Sequence, residues 1–115
     1  MTIILAIDDI RIMPWCTEIA RTSYDGIALL ERYRDSIIDE LWLDHDLGGD
    51  DTIRPVVALL EEAAFHKAAF KVSVIYIHSS NPSGANAVLS GLLRWEYNAR
   101  RVPAPACGTI YMTPR

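Results

Sequence analysis

Short apolar runs alternate with amphipathic segments along most of this chain, and this alternation constrains the fold more than any other feature. Residues 3–7, 40–43 and 72–77 are apolar or β-branched runs of strand length. Such runs are typical of strands covered on both faces of a parallel sheet. Residues 18–22 fit either a short strand or a poor helix, and residues 108–112 are predicted to form a final strand. The order predicts a doubly wound α/β domain with a parallel sheet.

Three amphipathic segments are predicted to form helices between these strands. They are residues 24–36, a segment with Pro55 in its first turn, and residues 83–97. Ser23 or Asp25 is expected to cap the first helix, and Asp51 or Thr52 the second. No helix is predicted with equal clarity directly after residues 3–7, because Pro14 limits where one could start.

Composition narrows the classes of function. The chain has 115 residues, which suggests one domain, and its net charge of −4 argues against an extensive nucleic-acid surface. Cys16 and Cys107 do not form a Cys-x-x-Cys pair, which favours a reduced, cytoplasmic protein. Residues 2–7 are too short for a membrane span and end at Asp8, so neither a membrane anchor nor a signal peptide is expected.

Polar clusters follow three of the predicted strands. Asp8 and Asp9 end the first, residues 44–46 (Asp-His-Asp) end the second, and residues 78–81 (His-Ser-Ser-Asn) end the third. In an open parallel sheet, ligands bind in the crevice outside the carboxyl ends of the strands. We therefore expect these clusters, which are far apart in sequence, to meet in space.

The acidic residues of these clusters suggest a divalent metal site. Crowded carboxylates repel one another unless a cation or a proton neutralises them, and hard oxygen ligands suit Mg²⁺ or Mn²⁺. The predicted metal ligands are Asp8, Asp9, Asp44 and Asp46. The alternative is that each Asp starts a turn or caps a helix, as is common after a strand.

The remaining polar residues suggest chemistry on a phosphate. His78 is predicted to be a general acid or base, with Asp44 and His45 as further catalytic candidates. A loop rich in small residues at a helix start can hold an anion. The predicted phosphate-binding residues are Arg11, Ser79, Ser80, Asn81, Ser83 and Gly84. The alternatives are a helix cap supplied by Ser83, a structural His78, an exposed loop arginine, and a His45 turned away from the cleft by strand alternation.

Three motifs occur in order along the chain: Asp8-Asp9 with Arg11 and Pro14, then Leu43-Asp44-His45-Asp46-Leu47-Gly48, then His78-Ser79-x-Asn81-Pro82-x-Gly84. Together they resemble the cyclic-phosphate-processing receiver-like family over about four-fifths of the chain. The resemblance implies a receiver or flavodoxin-like three-layer sandwich, with a mainly parallel five-stranded sheet and helices on both faces. The first helix would be shortened or lost.

The chain shares some functional positions with ordinary phosphorelay receivers and differs from them at others. Asp8 and Asp9 match their acidic metal-binding pair, Asp44 their phosphoacceptor, and Ser79 their switch hydroxyl. The lysine that ends their last strand is missing from residues 111–115. Three residues are additions that an ordinary receiver does not need: His45, Asp46 and His78.

The leading hypothesis is therefore a metal-dependent phosphoesterase that acts on RNA 2′,3′-cyclic phosphate ends or on cyclic nucleotides. A second is a receiver-like module that binds a nucleotide or a protein partner without turnover, and a third is a conventional receiver phosphorylated on Asp44. No membrane partner is expected, and a homodimer is left open.

Overall fold

A computed structural model describes residues 2–79 and 81–103. Within them the strands are β1 (Ile4–Ile7), β2 (Glu18–Ala20), β3 (Ile38–Asp44), β4 (Val72–His78) and β5 (Ala99–Arg101). The helices are α1 (Ser23–Arg32), α2 (Arg54–Phe65) and α3 (Pro82–Arg94). In the described part of the chain, no helix is both long and apolar enough to cross a membrane.

The five strands form one parallel sheet in the order β2-β1-β3-β4-β5. This is the strand order of the flavodoxin-like doubly wound folds, and it confirms the predicted receiver-like architecture. The chain first adds β2 on one side of β1 and then places β3, β4 and β5 on the other side. The direction in which strands are added therefore reverses between β1 and β3. The crevice at the carboxyl ends of these two strands is where such sheets bind their ligands.

The main core lies between one face of the sheet and all three helices. The side chains of this core come from alternate positions of the central strands, as in Leu41 and Leu43 of β3, and they pack against Leu30, Leu60 and Leu92 of the helices. Helices on both faces were expected, but in the described residues all three pack on this one face. A smaller cluster around Ala6 and Met13 occupies the other face.

The chain passes from β1 to β2 without a helix, which confirms that the first helix of the receiver pattern is lost. Pro14 lies in the middle of this ten-residue connection, residues 8–17, where it would interrupt a helix. The connection folds over the helix-free face instead, with Met13 buried to 1 % exposure.

The fifth strand differs from the sequence prediction. Residues 99–101 pair with β4, although the sequence analysis did not predict a strand there. The predicted strand at residues 108–112 lies outside the described residues. Helix α3 ends at Arg94, before the predicted residue 97, and Glu96 then adopts a positive φ of 69° that turns the chain into β5.

The helix caps also differ from those predicted. Thr22 caps α1, because its side chain accepts a hydrogen bond from the Asp25 N–H. Ile53 precedes α2 and gives no side-chain cap, although the predicted candidate Thr52 accepts the Arg54 N–H on its Oγ1 at 3.3 Å. Asn81 caps α3. The candidates Ser23 and Asp51 instead bond to each other, so that they join the β3–α2 loop to the start of α1.

Candidate functional site

Three polar residues form one row across the carboxyl ends of the central strands. Asp44 pairs with His78 across β3 and β4, and Asp8 directly follows Ile7, the residue that pairs with Leu43. Paired residues of neighbouring parallel strands point to the same face. Asp8, Asp44 and His78, which we call the acid row, therefore share the face that carries no helix. The predicted convergence of distant clusters is present in the structure.

Asp9 joins two members of this row in a carboxylate cluster. One oxygen from each of Asp8, Asp9 and Asp44 lies within 4.8 Å of the other two, a spacing that could hold one metal ion. Asp8 is fully buried and Asp44 is 5 % exposed, while Asp9 is half-buried. Three oxygen ligands of this kind fit a hard divalent cation such as Mg²⁺ or Mn²⁺.

Arg11 reaches back over the cluster. Its Nη1 lies 3.1 Å from Asp44 Oδ2 and 3.4 Å from Asp8 Oδ2. The turn that places it is held by Asp8, whose Oδ1 accepts the backbone N–H groups of Ile10 and Arg11. Arg11 brings one positive charge to three carboxylates, which leaves an excess of negative charge for a further cation to neutralise.

Burial shifts the pKa of Asp44 strongly. Desolvation and the neighbouring Asp8 carboxylate raise the pKa of Asp44 to about 7, and Arg11 opposes that rise only in part. Asp44 is therefore costly to ionise even with the Arg11 guanidinium 3.1 Å away. A further cation beside Asp44 would lower this cost.

His78 is completely enclosed. Its side chain has no exposed surface, and neither ring nitrogen has a hydrogen-bond partner among the described residues. Nε2 lies 3.6 Å from Asp8 Oδ2, and burial lowers the pKa of His78 to about 4 even though Asp8 opposes this. The imidazole is therefore neutral at pH 7, and it faces Asp8 instead of the solvent.

The structure does not bring Asp46 and His45 into the carboxylate cluster. Strand β3 ends at Asp44, so the extended geometry that would align Asp44 with Asp46 stops there. Asp46 is exposed and binds His45 Nδ1 at 2.9 Å, while the His45 ring packs against Gly84 of α3. His45 is thus turned away from the acids, the outcome that strand alternation favoured.

The loop before α3 is organised mainly by its own hydrogen bonds. Ser79 Oγ accepts the Asn81 N–H at 2.9 Å, and Asn81 Oδ1 accepts the Gly84 N–H at 3.1 Å. The alternative interpretation, a cap at Ser83, is wrong, because Asn81 is the cap and Ser83 is an exposed residue of the first turn. Ser80, also a predicted phosphate ligand, lies outside the described residues.

The residues of the candidate site belong to a known family of domains. The model of the cyclic-phosphate processing receiver domain matches residues 3–94, which include every described residue of the acid row and of the loop before α3. This chain belongs to the cyclic-phosphate processing receiver family. No curated protein and no solved structure matches the chain.

The sequence analysis missed Arg21, and it gave Gly48 no role beyond its place in the motif. Arg21 Nη1 donates to the backbone oxygens of Asp8 and Arg11, at 3.1 and 2.6 Å, and so holds the turn that carries Arg11. Its position directly after β2, the neighbour of β1, was a signal available in the sequence. Gly48 has a φ of 91°, and a Cβ there would lie 3.4 Å from Asp9 Oδ2.

The end of the last described strand also differs from that of an ordinary receiver. Residues 99–103 read Ala-Arg-Arg-Val-Pro, without a lysine. The predicted comparison was with residues 111–115, which lie outside the described residues. In the structure, Arg101 at the end of β5 donates to Asn86 of α3 at 2.9 Å instead of contacting an acid of the row.

Proposed function

We propose that this cyclic-phosphate processing receiver domain is a divalent-metal-dependent phosphoesterase that opens a cyclic phosphate, either an RNA 2′,3′-cyclic end or a cyclic nucleotide. The main support for this proposal is the cluster of Asp8, Asp9 and Asp44. One carboxylate oxygen from each lies within 4.8 Å of the other two, beside the Arg11 guanidinium. Carboxylates for a metal and a guanidinium for a phosphate are the components that phosphoryl transfer requires.

Asp8, Asp9 and Asp44 would hold the metal, Mg²⁺ or Mn²⁺. When bound, such an ion polarises a phosphate oxygen and lowers the pKa of a water molecule. The reaction adds water to phosphorus and breaks one of the two ester bonds of the ring. The departing ester oxygen takes a proton, and the product is a phosphomonoester.

Arg11 would bind a non-bridging phosphate oxygen. Its guanidinium already lies at the mouth of the cluster with a 13 % exposed side chain, so that it can exchange a carboxylate partner for the substrate. Ser79, Asn81 and Gly84 stay proposed phosphate contacts through the start of α3. Because the Asn81 and Gly84 N–H groups are bonded within the loop and Pro82 has none, the proposed contribution of that helix end comes from Ser83, through its N–H and its hydroxyl.

His78 was predicted to be a general acid or base. Because it is fully enclosed and its Nε2 faces Asp8, we assign it to the support of that carboxylate and not to direct contact with the substrate. A neutral imidazole packed 3.6 Å from Asp8 would limit the movement of that carboxylate and so keep it oriented for metal binding. His45 supports the loop through Gly84 and is not assigned a proton-transfer role.

The test is hydrolysis of the two substrate classes by purified protein with Mg²⁺ or Mn²⁺. We expect phosphomonoester product from at least one class, and a loss of roughly 100-fold or more in rate for Asp44→Asn. Asp50→Asn, which removes an exposed carboxylate of the same β3–α2 loop, is the matched control and should behave as wild type. If neither class yields product, or if both variants act alike, the proposal fails.

A binding module without turnover is the second candidate. The enclosure of His78 favours it, because no histidine of the acid row is placed to exchange protons with a ligand. Calorimetry with the same nucleotides separates the two functions. Micromolar binding without product, reduced by Arg11→Gln, would identify a binding module.

A further inference from the structure

A second row of side chains lies beside the acid row on the same face of the sheet. The strand register pairs Trp42 of β3 with Tyr76 of β4, and Tyr76 with Arg100 of β5. Since paired residues of parallel strands point to the same face, these three side chains form a line across the sheet. We call Trp42 and Tyr76 the aromatic row; Arg100 is exposed at its outer end.

The aromatic row lies next to the acid row, two residues closer to the amino ends of the strands. Trp42 precedes Asp44 by two residues, and Tyr76 precedes His78 by two, so the rows share a face and are separated by about 6.6 Å along the strands. The two rows are in contact, because the ring centroids of Trp42 and His78 are 5.8 Å apart. A ligand whose anionic group lies at the acid row would therefore extend its next portion over the aromatic row.

The rings are held in place but not fully covered. Trp42 donates from Nε1 to Glu40 Oε1 at 2.9 Å, and its centroid lies 4.6 Å from that of Tyr76. Trp15, from the connection that replaces the first helix, contacts Trp42 edge-on at 6.2 Å. Trp42 and Tyr76 both stay half-buried, and no helix of the described chain packs over them. A helix between β1 and β2 would have lain on this face.

We propose that the aromatic row binds the base of a nucleoside cyclic phosphate whose phosphate lies at the acid row. This inference rests on the proposed function and adds a base subsite to it: the aromatic row, and not the phosphate alone, would make the site prefer a nucleoside to a cyclic phosphate without a base. One ribose separates phosphate from base by a distance comparable to that between the two rows. Every base has a flat face that stacks on aromatic rings, and Arg100 adds a cation beside the stack.

The decisive measurement compares ligands with and without a base. Binding of adenosine 2′,3′- and 3′,5′-cyclic phosphate is measured by calorimetry with Mg²⁺, each against the methyl riboside that carries the same cyclic phosphate. We expect the nucleoside to bind roughly 10-fold more tightly than its riboside in wild type. A short RNA with a 2′,3′-cyclic end is measured alongside, which separates an RNA end from a free nucleotide as the source of the base.

Substitutions in the aromatic row then test whether its rings cause the preference for the nucleoside over the riboside. Tyr76→Leu and Trp42→Leu should bring the ratio of nucleoside to riboside affinity near one, while Tyr76→Phe, which keeps the ring, should retain it. Tyr24→Leu is the matched control, because it removes an 81 % exposed tyrosine from α1. If the leucine variants keep the preference, the base is held elsewhere and the inference is overturned.

The outcomes distinguish this inference from the proposed function. Equal binding and equal hydrolysis of nucleoside and riboside would overturn the aromatic row as a base site and leave the phosphoesterase intact. If no cyclic phosphate binds or reacts, both fail. If sedimentation shows that Tyr76→Leu only dissociates a dimer and leaves the ligand ratio unchanged, the row is a subunit contact and the inference is again overturned.

Discussion

Individual residues of the acid row are held in a state that is unfavourable without a ligand. Asp8 and Asp44 are both buried, and Arg11 is placed to compensate part of their charge. Burial of a carboxylate without a full set of partners costs stability, which the fold tolerates because its large apolar core stabilises it elsewhere. The effect of each of these residues on the free energy of unfolding should be measurable by single substitutions.

Asp44→Asn should stabilise the metal-free protein at neutral and alkaline pH. The pKa of Asp44 is raised from 3.8 to about 7 on folding, so the folded state resists ionisation and loses stability as pH rises between these values. Removing the charge should increase the free energy of unfolding by roughly 2–4 kcal/mol at pH 8 and by little at pH 4. Urea unfolding across this range checks it.

The comparison with wild type must be made at each pH, because His78 titrates as well. Burial lowers the pKa of His78 to about 4, so stability falls on acidification from about 6.5 to 4 in both proteins and cancels in the difference. A gap between Asp44→Asn and wild type that does not widen from pH 4 to pH 8 would contradict the raised pKa.

Gly84→Ala should destabilise the protein through His45. A Cβ at Gly84 would lie 2.5–2.7 Å from three atoms of the His45 ring, which is buried and bound to Asp46. Overpacking of this kind costs about 1–3 kcal/mol. Gly91→Ala in the same helix is the control, since its Cβ would meet only the flexible end of Glu61, and helix propensity should make it neutral or stabilising.

Chemical denaturation of both glycine variants measures this difference. His45→Ala combined with Gly84→Ala should cost less than the sum of the single changes, because the smaller side chain leaves room for the Cβ. If Gly84→Ala is as stable as Gly91→Ala, the His45 ring is not fixed where the structure has it.

At the scale of elements, the sequence predicted what depends on local pattern. The apolar runs of β1, β3 and β4 and the polar residues that follow them gave the sheet and the convergence of Asp8, Asp44 and His78. Strand β5 was not predicted, because residues 99–101 are mostly polar and become a strand only by pairing with β4. The direction of the Asp46 side chain was also not predicted, because it depends on where β3 ends and not on residue type.

Asp51→Ala should loosen the β3–α2 loop, which borders the site. Asp51 accepts hydrogen bonds from both the backbone N–H and the hydroxyl of Ser23, and these bonds lower its pKa. We expect a loss of about 1 kcal/mol at pH 7, as for a surface-accessible hydrogen-bonded carboxylate. The loss should shrink on acidification, because the stability that a lowered pKa provides disappears once Asp51 is protonated.

Hydrogen exchange of the Ser23 amide and of the loop amides measures the local effect. Asp50→Ala, in the same loop, is the control and should leave both exchange and stability unchanged. Faster exchange in both variants, or in neither, would mean that the bond to Ser23 does not hold this loop.

At the scale of the whole molecule, the candidate functional residues lie on one side of the sheet. The helices build the main core on one face, and the other face carries the acid row, the aromatic row and the connection over residues 8–17. With no helix between β1 and β2, this face would be open to the phosphate ligand of the proposed function. The carboxyl ends of the strands keep the position of the site, as doubly wound sheets require.

A metal bound at the carboxylate cluster should stabilise the whole fold. A ligand that binds only the folded state at about 100 times its dissociation constant adds about 2.7 kcal/mol, which for a chain of this size raises the melting temperature by roughly 10 °C. We expect this rise with Mg²⁺ or Mn²⁺, reversed by EDTA, in thermal melts of wild type and of Asp50→Asn. Asp8→Asn should abolish it, because the amide keeps an oxygen for the Ile10 and Arg11 N–H groups but removes a metal ligand's charge. Equal shifts in Asp8→Asn and Asp50→Asn would place the metal elsewhere on the protein.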